Sequence, residues 1–239
     1  MSIPTKLKQE SEYEPYYPCS DGAPMGETLI HVEAIILLHL ALQDFFRDRR
    51  RDVLIASDLF WYWEKGVPAS CCAPDTMVVL GVEPKEQRSF FSWREKNPTP
   101  NAVFEMASEN TWRDNLGAKK ALYERLKVPE YFVFDPLVEF LDPPLRGFRL
   151  RGKTYRPLKP AADGSLPCKE LGLRLIPEGR MLRLLDAQTS AKVLTKDERI
   201  EQAEQLVERG RREKQALEAE IARLRALLAK PPNASDSSS

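Results

Sequence analysis

The segment that most constrains the fold lies between residues 101 and 135, where two apolar runs flank a helical pattern. The runs are NAVFEMAS and EYFVFD, and RDNLGAKKALYERLK lies between them with the spacing of an amphipathic helix. A strand, a helix and a strand joined by short links form a βαβ unit, which requires a parallel or mixed sheet. The sequence therefore predicts an α/β fold with a mixed central β-sheet flanked by helices.

Other apolar segments are expected to extend and cover this sheet. LIHVEAIILLHLALQDFFRDRR repeats apolar residues at helical spacing behind Thr28, which predicts an N-capped helix with a broad face against the sheet. DVLIAS and LFWYWE predict two short strands in a hairpin, and CCAPDTMVVLGV predicts a strand with Asp75 at its mouth. Between residues 137 and 186, the segments VEFLD, GFRLRG, KTYRPL, LGLRLIP and RMLRLLD predict an antiparallel extension of the core sheet.

The chain divides by composition into four parts. They are an irregular arm (1–25), an α/β domain (26–190), a charged helix (195–230) and a disordered tail (231–239). The helix begins with a Ser/Thr-x-x-Glu capping box and carries a heptad seam of mainly Ile, Val and Leu, weakened at Gly210 and Lys214. It is either a solvated single helix or a coiled coil. We expect a coiled coil that joins the chain into a homodimer or higher oligomer.

Composition limits the classes of partner and the cellular compartment. Lys and Arg number 36, as do Asp and Glu, so DNA binding would need a local basic patch rather than bulk positive charge. The four cysteines show neither zinc-ligand nor disulfide spacing, and no signal peptide or stretch approaching a membrane span stands out. We therefore expect free thiols, a cytoplasmic location and no membrane association.

Three polar residues interrupt or follow the apolar strands in order: Asp75, Glu105 and Lys119. An unpaired ionised carboxylate in a buried strand costs several kcal/mol, so Glu105 needs a partner or a metal ion. Two carboxylates at neighbouring strand ends could share a divalent cation, and an ammonium group could orient a water molecule or stabilise a phosphoryl oxygen. These are the groups required to hydrolyse a phosphodiester bond.

Simpler interpretations remain open for the same residues. Glu105 could form a buried ion pair with Lys119 or an arginine without any metal, and Asp75 could cap a turn after Pro74. Ser108 and Thr111 could cap the next helix or hold phosphate, with capping the simpler expectation. The tryptophans at positions 61, 63 and 93 are expected to pack in the core or loops rather than stack on bases.

The motifs APDTMVV, VFEMASENTW and LGAKKALYERLKVPEYFVFDP, taken in this order, resemble the Uma-two family of bacterial restriction endonucleases, in the PD-(D/E)xK nuclease superfamily. The resemblance covers roughly residues 15 to 190. It implies a restriction-endonuclease-like core, Mg²⁺ or Mn²⁺ held by Asp75 and Glu105, and Lys119 positioning the attacking water. DNA is the implied substrate, cleaved to 5′-phosphate and 3′-hydroxyl ends.

The lysine position departs from the general superfamily pattern, which places it two residues after the second acid, where this chain has Ala107. In the Uma-two pattern, the lysine instead lies on the following helix, in a Lys-x-x-x-Tyr spacing. Lys119 and Tyr123 match this spacing and share one helix face. Lys120 is turned about 100° away and is the weaker candidate. The family often has an aspartate four residues before the lysine. In this chain, the residue four positions before Lys119 is Asn115.

The resemblance also points to auxiliary residues and leaves two functions to weigh. His31 and Glu27, at the start of the first helix, could face the metal site, although a packed core histidine is the commoner outcome. The first function is a magnesium-dependent DNA endonuclease. The second is an inactive nuclease-fold protein whose coiled coil recruits partners.

Overall fold

The structure, a computed structural model, describes residues 14–20, 28–96 and 98–228, and the chain divides into two units between Val193 and Leu194. This boundary lies between the predicted domain end at 190 and the predicted helix start at 195. The predicted tail and most of the predicted arm lie outside the described residues. The helices are α1 (Leu29–Phe46), α2 (Trp112–Leu116), α3 (Ala118–Arg125) and α4 (Lys196–Leu228). The strands are β1 (Val53–Ala56), β2 (Trp61–Tyr62), β3 (Cys71–Cys72), β4 (Thr76–Leu80), β5 (Phe90–Phe91), β6 (Ala102–Met106), β7 (Glu130–Phe134), β8 (Leu145–Arg151), β9 (Thr154–Pro157), β10 (Leu166–Cys168), β11 (Leu173–Glu178) and β12 (Met181–Asp186).

The first unit is built on a six-stranded sheet in the order β1-β4-β6-β7-β8-β9. Strands β6 and β7 are parallel, as the βαβ pattern predicts, and the other neighbours are antiparallel. The predicted α/β fold with a mixed central sheet is therefore confirmed. Parallel strands covered on both faces are expected to be apolar throughout, and every residue of β6 and β7 is buried.

The alternation of side chains along β6 sorts its residues between two apolar layers. Ala102, Phe104 and Met106 pack in the layer that contains the buried face of α1. Val103 packs in the opposite layer with Tyr123 of α3. Because Glu105 has the same parity as Val103, its carboxylate points into the layer of α3.

Two details of the predicted strand pairing are wrong. Strands β1 and β2 do not form a hairpin: β1 pairs with β4, whereas β2 pairs with β3 and β5 in a small separate sheet. Of the predicted antiparallel extension, only β8 and β9 continue the central sheet, and β10, β11 and β12 form a sheet of their own. VEFLD forms no strand, because the Asp135 carboxylate accepts backbone N–H groups from Leu137, Phe140 and Leu141 and folds this segment into a loop.

The helical segment between β6 and β7 is broken in two. Gly117 separates α2 from α3 with φ −111° and ψ −95°, outside the helical region. Its N–H still bonds the Asp114 carbonyl, at 3.2 Å. A Cβ at this position would lie 3.0 Å from the Arg113 carbonyl oxygen. The single predicted helix is therefore two, and the break sets the direction of α3 independently of α2.

Helix α1 covers one face of the central sheet. Thr28 Oγ1 accepts the His31 N–H at 3.3 Å, which confirms the predicted N-cap. Our expectation that no segment approaches a membrane span is wrong by length and composition, because the 18 residues of α1 are apolar enough to cross a bilayer. The buried residues of α1, among them Leu38 and Leu42, lie in one cluster with Phe104 and Phe132. Burying a side chain of this size contributes about 1.5–3 kcal/mol, so this packing accounts for the composition of a core helix.

The second unit contains the 33-residue helix α4, about 50 Å long at 1.5 Å per residue. Its capping box is present as predicted: Thr195 N–H donates to Glu198 Oε2 at 2.8 Å, and Glu198 N–H donates to Thr195 Oγ1 at 3.2 Å. Large apolar side chains on α4 are exposed, at Ile200, Leu206, Val207, Leu217, Ile221 and Leu224. All but Leu206 lie on the predicted heptad seam.

Candidate active site

The pairing of β4 with β6 brings the two predicted acids to one end of the sheet. Asp75 directly precedes β4, whose first residue, Thr76, lies opposite Phe104 of the antiparallel strand β6. Glu105 is the next residue of β6. The Met106 N–H donates to Asp75 Oδ2 at 2.6 Å, which fixes the aspartate against the end of β6.

Glu105 is fully buried and holds hydrogen bonds from two side chains of α3. Lys119 Nζ lies 2.7 Å from Oε2, and Tyr123 Oη donates to Oε1 at 2.6 Å. Lys119 and Tyr123 are one helical turn apart, so a single face of α3 serves both carboxylate oxygens. The structure thus brings together Glu105, Lys119 and Tyr123, with Asp75 at the same end of the sheet.

The two adjacent lysines of α3 have different surroundings. Lys120 Nζ lies 4.7 Å from the centre of the Phe148 ring, whereas Lys119 Nζ bonds Glu105. The Lys119 side chain is 31% exposed, although the Glu105 side chain that it bonds is fully buried. Lys119 therefore joins the buried acid to the solvent, and its ammonium group can reach a molecule that approaches from outside.

The two acids have pKa values shifted in opposite directions. Burial, followed by the negative charge of Asp75, raises the pKa of Glu105 to about 8, because Lys119 and Tyr123 offset only part of this rise. Burial also acts to raise the pKa of Asp75, but the His31 imidazole, the Lys119 charge and the Met106 N–H together lower it. Opposed shifts of this kind in neighbouring carboxyl groups are typical of functional sites.

Lys119 responds to the same charges. Burial lowers its pKa, but the nearby carboxylates of Glu105 and Asp75 outweigh burial and raise the pKa above its usual value. Lys119 is therefore an ammonium ion at neutral pH, a hydrogen-bond donor rather than a base.

The auxiliary residues have different outcomes. His31 is buried, and its Nε2 lies 3.6 Å from Asp75 Oδ2, so it borders the candidate site from the start of α1. Glu27 lies outside the described residues. Thr111 does not cap α2 with its side chain; it accepts the Ser108 N–H at 3.2 Å and shares a 2.8 Å hydrogen bond with the Ser108 hydroxyl. The expectation of capping by Thr111 is therefore wrong.

Two further residues border the site that sequence reasoning left without a role. Asn115 is fully buried and donates to the Met106 carbonyl at 3.1 Å, so it anchors the end of β6. Its position four residues before Lys119 was the available signal. Cys72 Sγ lies 4.0 Å from Tyr123 Oη, and burial, followed by the Glu105 charge, raises the pKa of this thiol to about 12. No local sequence pattern indicates that Cys72 lies there, because a separate sheet brings it into place.

The donor set fits a hard divalent cation with few protein ligands. Within residues 14–20, 28–96 and 98–228, no cluster of three or more His, Cys, Asp or Glu side chains could enclose a metal ion. Mg²⁺ usually keeps several waters and takes one or two carboxylates together with substrate phosphate oxygens. Asp75 and Glu105 supply that number of carboxylates at one end of the sheet.

A mixed sheet covered by helices, with two acids and a lysine at one strand end, defines an α/β protein with a candidate hydrolytic site. The sequence profile of the Uma2 family, described as "Putative restriction endonuclease", matches residues 20–176, about two thirds of the chain. The chain belongs to this family of nucleases, which confirms the predicted resemblance.

Among solved structures, the chain is similar to a protein from Anabaena variabilis ATCC 29413 described as a "putative nuclease belonging to DUF820". The two are 13% identical with a TM-score of 0.43, over 62% of this chain and 76% of that one. None of the curated proteins matches the sequence.

Proposed function

We propose that this protein is a metal-dependent endonuclease that hydrolyses DNA phosphodiester bonds, with Mg²⁺, or Mn²⁺ in its place, held by Asp75 and Glu105. The observation that carries the proposal is the buried carboxylate of Glu105, bonded by Lys119 at 2.7 Å and raised in pKa by burial and the charge of Asp75. A buried ion pair built only for stability would not gain from a second acid nearby. Membership of a nuclease family supports the same choice.

Each residue then has a distinct role. A bound Mg²⁺ would polarise a phosphoryl oxygen and lower the pKa of the attacking water. Asp75 stays ionised, because His31, Lys119 and the Met106 N–H favour its charged form. Tyr123 holds Oε1 of Glu105 in place. Lys119, charged and partly exposed, can donate to the attacking water or to a phosphate oxygen and stabilise the charge that develops there.

Cleavage of supercoiled plasmid with Mg²⁺ or Mn²⁺ tests this function. We expect the wild type to cleave, Glu105→Gln and Lys119→Ala to be inactive, and Lys120→Ala, the matched control on the same helix, to resemble the wild type. Addition of EDTA should stop the wild-type reaction. Equal cleavage by all four proteins would contradict the proposal, and so would a wild type that cleaves neither plasmid nor single-stranded DNA.

We further propose that α4 joins chains into a homodimer or higher oligomer. The exposed seam residues Ile200, Val207, Leu217, Ile221 and Leu224 support this, because apolar residues at heptad positions are stable in water when they face a partner helix. Light scattering of the full-length protein should give a multiple of 27.3 kDa. The double substitution Leu217→Glu and Ile221→Glu should reduce it to one chain, whereas a monomeric wild type would contradict the proposal.

The same pair of experiments addresses the alternative function of an interaction module. A protein that self-associates through α4 but shows no metal-dependent cleavage would fit a scaffold with an inactive nuclease fold. Cleavage that persists in the monomeric variant would show that the nuclease unit acts without self-association through α4.

A further inference from the structure

A cavity of about 420 Å³ lies behind the small sheet β3-β2-β5, apart from the carboxylates. Side chains alternate between the faces of a strand pair. In β3, Cys72 faces Tyr123 and the candidate active site, whereas Cys71 lies opposite Tyr62 in the pairing of β2 with β3. The Tyr62 ring stacks on Phe91 at 5.2 Å, and Phe91 lines the cavity. The cavity is therefore on the other face of this sheet from the acids.

The walls of the cavity offer flat, electron-rich and cationic surfaces. Arg94 lies over the Phe91 ring, with its guanidinium carbon 4.1 Å from the ring centre, and half of its side chain is exposed. Tyr16 also lines the cavity, and the residue is 78% exposed. Guanidinium planes and aromatic rings of this kind are the surfaces on which unpaired nucleobases stack.

The polar groups of the cavity are not all satisfied by the protein. Gln87 Nε2 is buried and has no hydrogen-bond partner within the described part of the chain. Lys85 pairs with Glu95 and Arg94 with Glu14, so their charges are balanced. For the guanidinium of Arg88, the described residues provide neither an ion pair nor a hydrogen bond. Glu86 also lines the cavity, and the residues that the structure describes give its carboxylate no ion pair. The cavity thus presents one buried donor, one carboxylate and one cation that these residues leave unpaired.

We propose that this cavity binds one unpaired nucleotide of a DNA strand, with the base on Arg94 and Tyr16, a base carbonyl accepting from Gln87 Nε2, and the phosphate on Arg88. A planar ring with carbonyl acceptors and an adjacent anion matches all three features together. The inference rests on the proposed function for its choice of DNA, and it adds that the protein engages substrate with at least one nucleotide out of the duplex. Because the cavity is separate from the acids, this binding needs no metal ion.

Fluorescence anisotropy in EDTA tests the inference without catalysis. The probes are a fluorescein-labelled 15-mer of thymidine, the same strand paired with its complement, and an abasic strand of equal length. We expect the wild type to bind the single strand about tenfold more tightly than the abasic strand, as stacking of one base predicts. Arg88→Ala should weaken single-strand binding about tenfold, the loss expected for a charge-assisted hydrogen bond. Gln87→Leu should weaken it severalfold.

Two controls separate this site from general attraction to phosphate. Arg180→Ala removes an arginine that is likewise exposed, in the turn between β11 and β12, and should leave binding unchanged. Tyr16→Ala should lower affinity for the single strand but not for the abasic strand. Equal losses in Arg88→Ala and Arg180→Ala, equal wild-type affinity for both strands, or no measurable single-strand binding would each overturn the inference.

The inference and the proposed function fail separately. If Arg88→Ala binds the single strand like the wild type while Glu105→Gln abolishes plasmid cleavage, the nuclease stands and the nucleotide site is wrong. If Arg88→Ala loses binding and no protein cleaves DNA, the cavity binds nucleotides on a fold without nuclease activity.

Discussion

Glu105 and Glu130 are two fully buried glutamates on the neighbouring strands β6 and β7, and they illustrate how a buried ion pair can serve different ends. Glu130 bonds Arg149 at 2.7 Å and accepts the backbone N–H groups of Lys169 and Glu170, at 3.1 and 3.0 Å. It begins β7, opposite Ala102, whereas Glu105 lies near the other end of the parallel pair.

The difference between the two sites lies in what surrounds the carboxylate. Glu130 has an arginine partner whose side chain is 13% exposed and two backbone donors, which satisfy it within the protein. Glu105 has a lysine partner whose side chain is 31% exposed and a second acid close enough to raise its pKa. A carboxylate whose donors are all buried in the protein is typical of a structural role, whereas one with a partly exposed donor and a neighbouring acid is available for chemistry.

The largest expected effect separates the two glutamates by activity. Glu105→Gln removes a proposed metal ligand and should lower the rate of plasmid cleavage by at least about 10³-fold, in line with the loss of transition-state charge stabilisation. Glu130→Gln, assayed at a temperature at which it is folded, should retain the wild-type rate within about threefold, the scatter expected of a distant site. Comparable losses in both would erase the distinction.

The second effect separates them by stability. Glu130→Gln leaves the Arg149 guanidinium buried without its anion and should lower the free energy of unfolding by about 3 kcal/mol. Glu105→Gln should cost less, because the partly exposed Lys119 can turn to water. Urea denaturation in EDTA, with both variants beside the wild type, measures the difference; a larger loss in Glu105→Gln would contradict the assignment.

The third effect is a pH dependence of stability that arises from Glu105. Its pKa is about 8 in the folded protein, above the ordinary value of 4.5, so the folded state keeps a proton that the unfolded chain has lost. The stabilising contribution of this proton is complete below about pH 4.5 and is lost as pH rises through 8, by at most about 1.4 kcal/mol per pH unit. The melting temperature of the metal-free wild type should therefore fall relative to that of Glu105→Gln between pH 6 and 9. Parallel curves for the two proteins would show that Glu105 does not titrate in this range.

The smallest effect tests the positioning of Glu105. Tyr123→Phe deletes the 2.6 Å hydrogen bond to Oε1 and should reduce cleavage about tenfold, the worth of one hydrogen bond to a charged group. The metal concentration that gives half-maximal rate should rise, because the carboxylate is less well fixed. A reduced rate with no change in metal requirement would assign Tyr123 to packing instead.

Local sequence patterns predict the site residues better than they predict the strand pairing. The apolar run around Glu105, the turn before Asp75 and the four-residue spacing of Lys119 and Tyr123 are local patterns, and the structure places all four residues at one end of the sheet as predicted. The hairpin of β1 with β2 and the single helix across Gly117 were wrong. Strand pairing depends on contacts between distant segments, and no local pattern gives the partner of a two-residue strand such as β2.

Contacts between segments that are distant in the sequence were the hardest to foresee. Cys72 borders Tyr123 only because β3 pairs with β2. Glu130 gives no local sign of its bond to Arg149 on the neighbouring strand β8. Both follow from the strand order, which the sequence pattern left undetermined. The catalytic interpretation of Asp75, Glu105 and Lys119 remains a prediction until cleavage is measured.

The side-chain alternation in β6 also limits how related genes can vary. One inserted or deleted codon between Asn101 and Glu105 would turn the carboxylate into the layer of α1, among Phe104 and its apolar neighbours, away from Lys119. Changes in length are tolerable in exposed loops away from both sites, such as that of residues 159–164. Within β6 itself, we expect the reading frame to be held to a fixed number of residues in any relative that keeps this site.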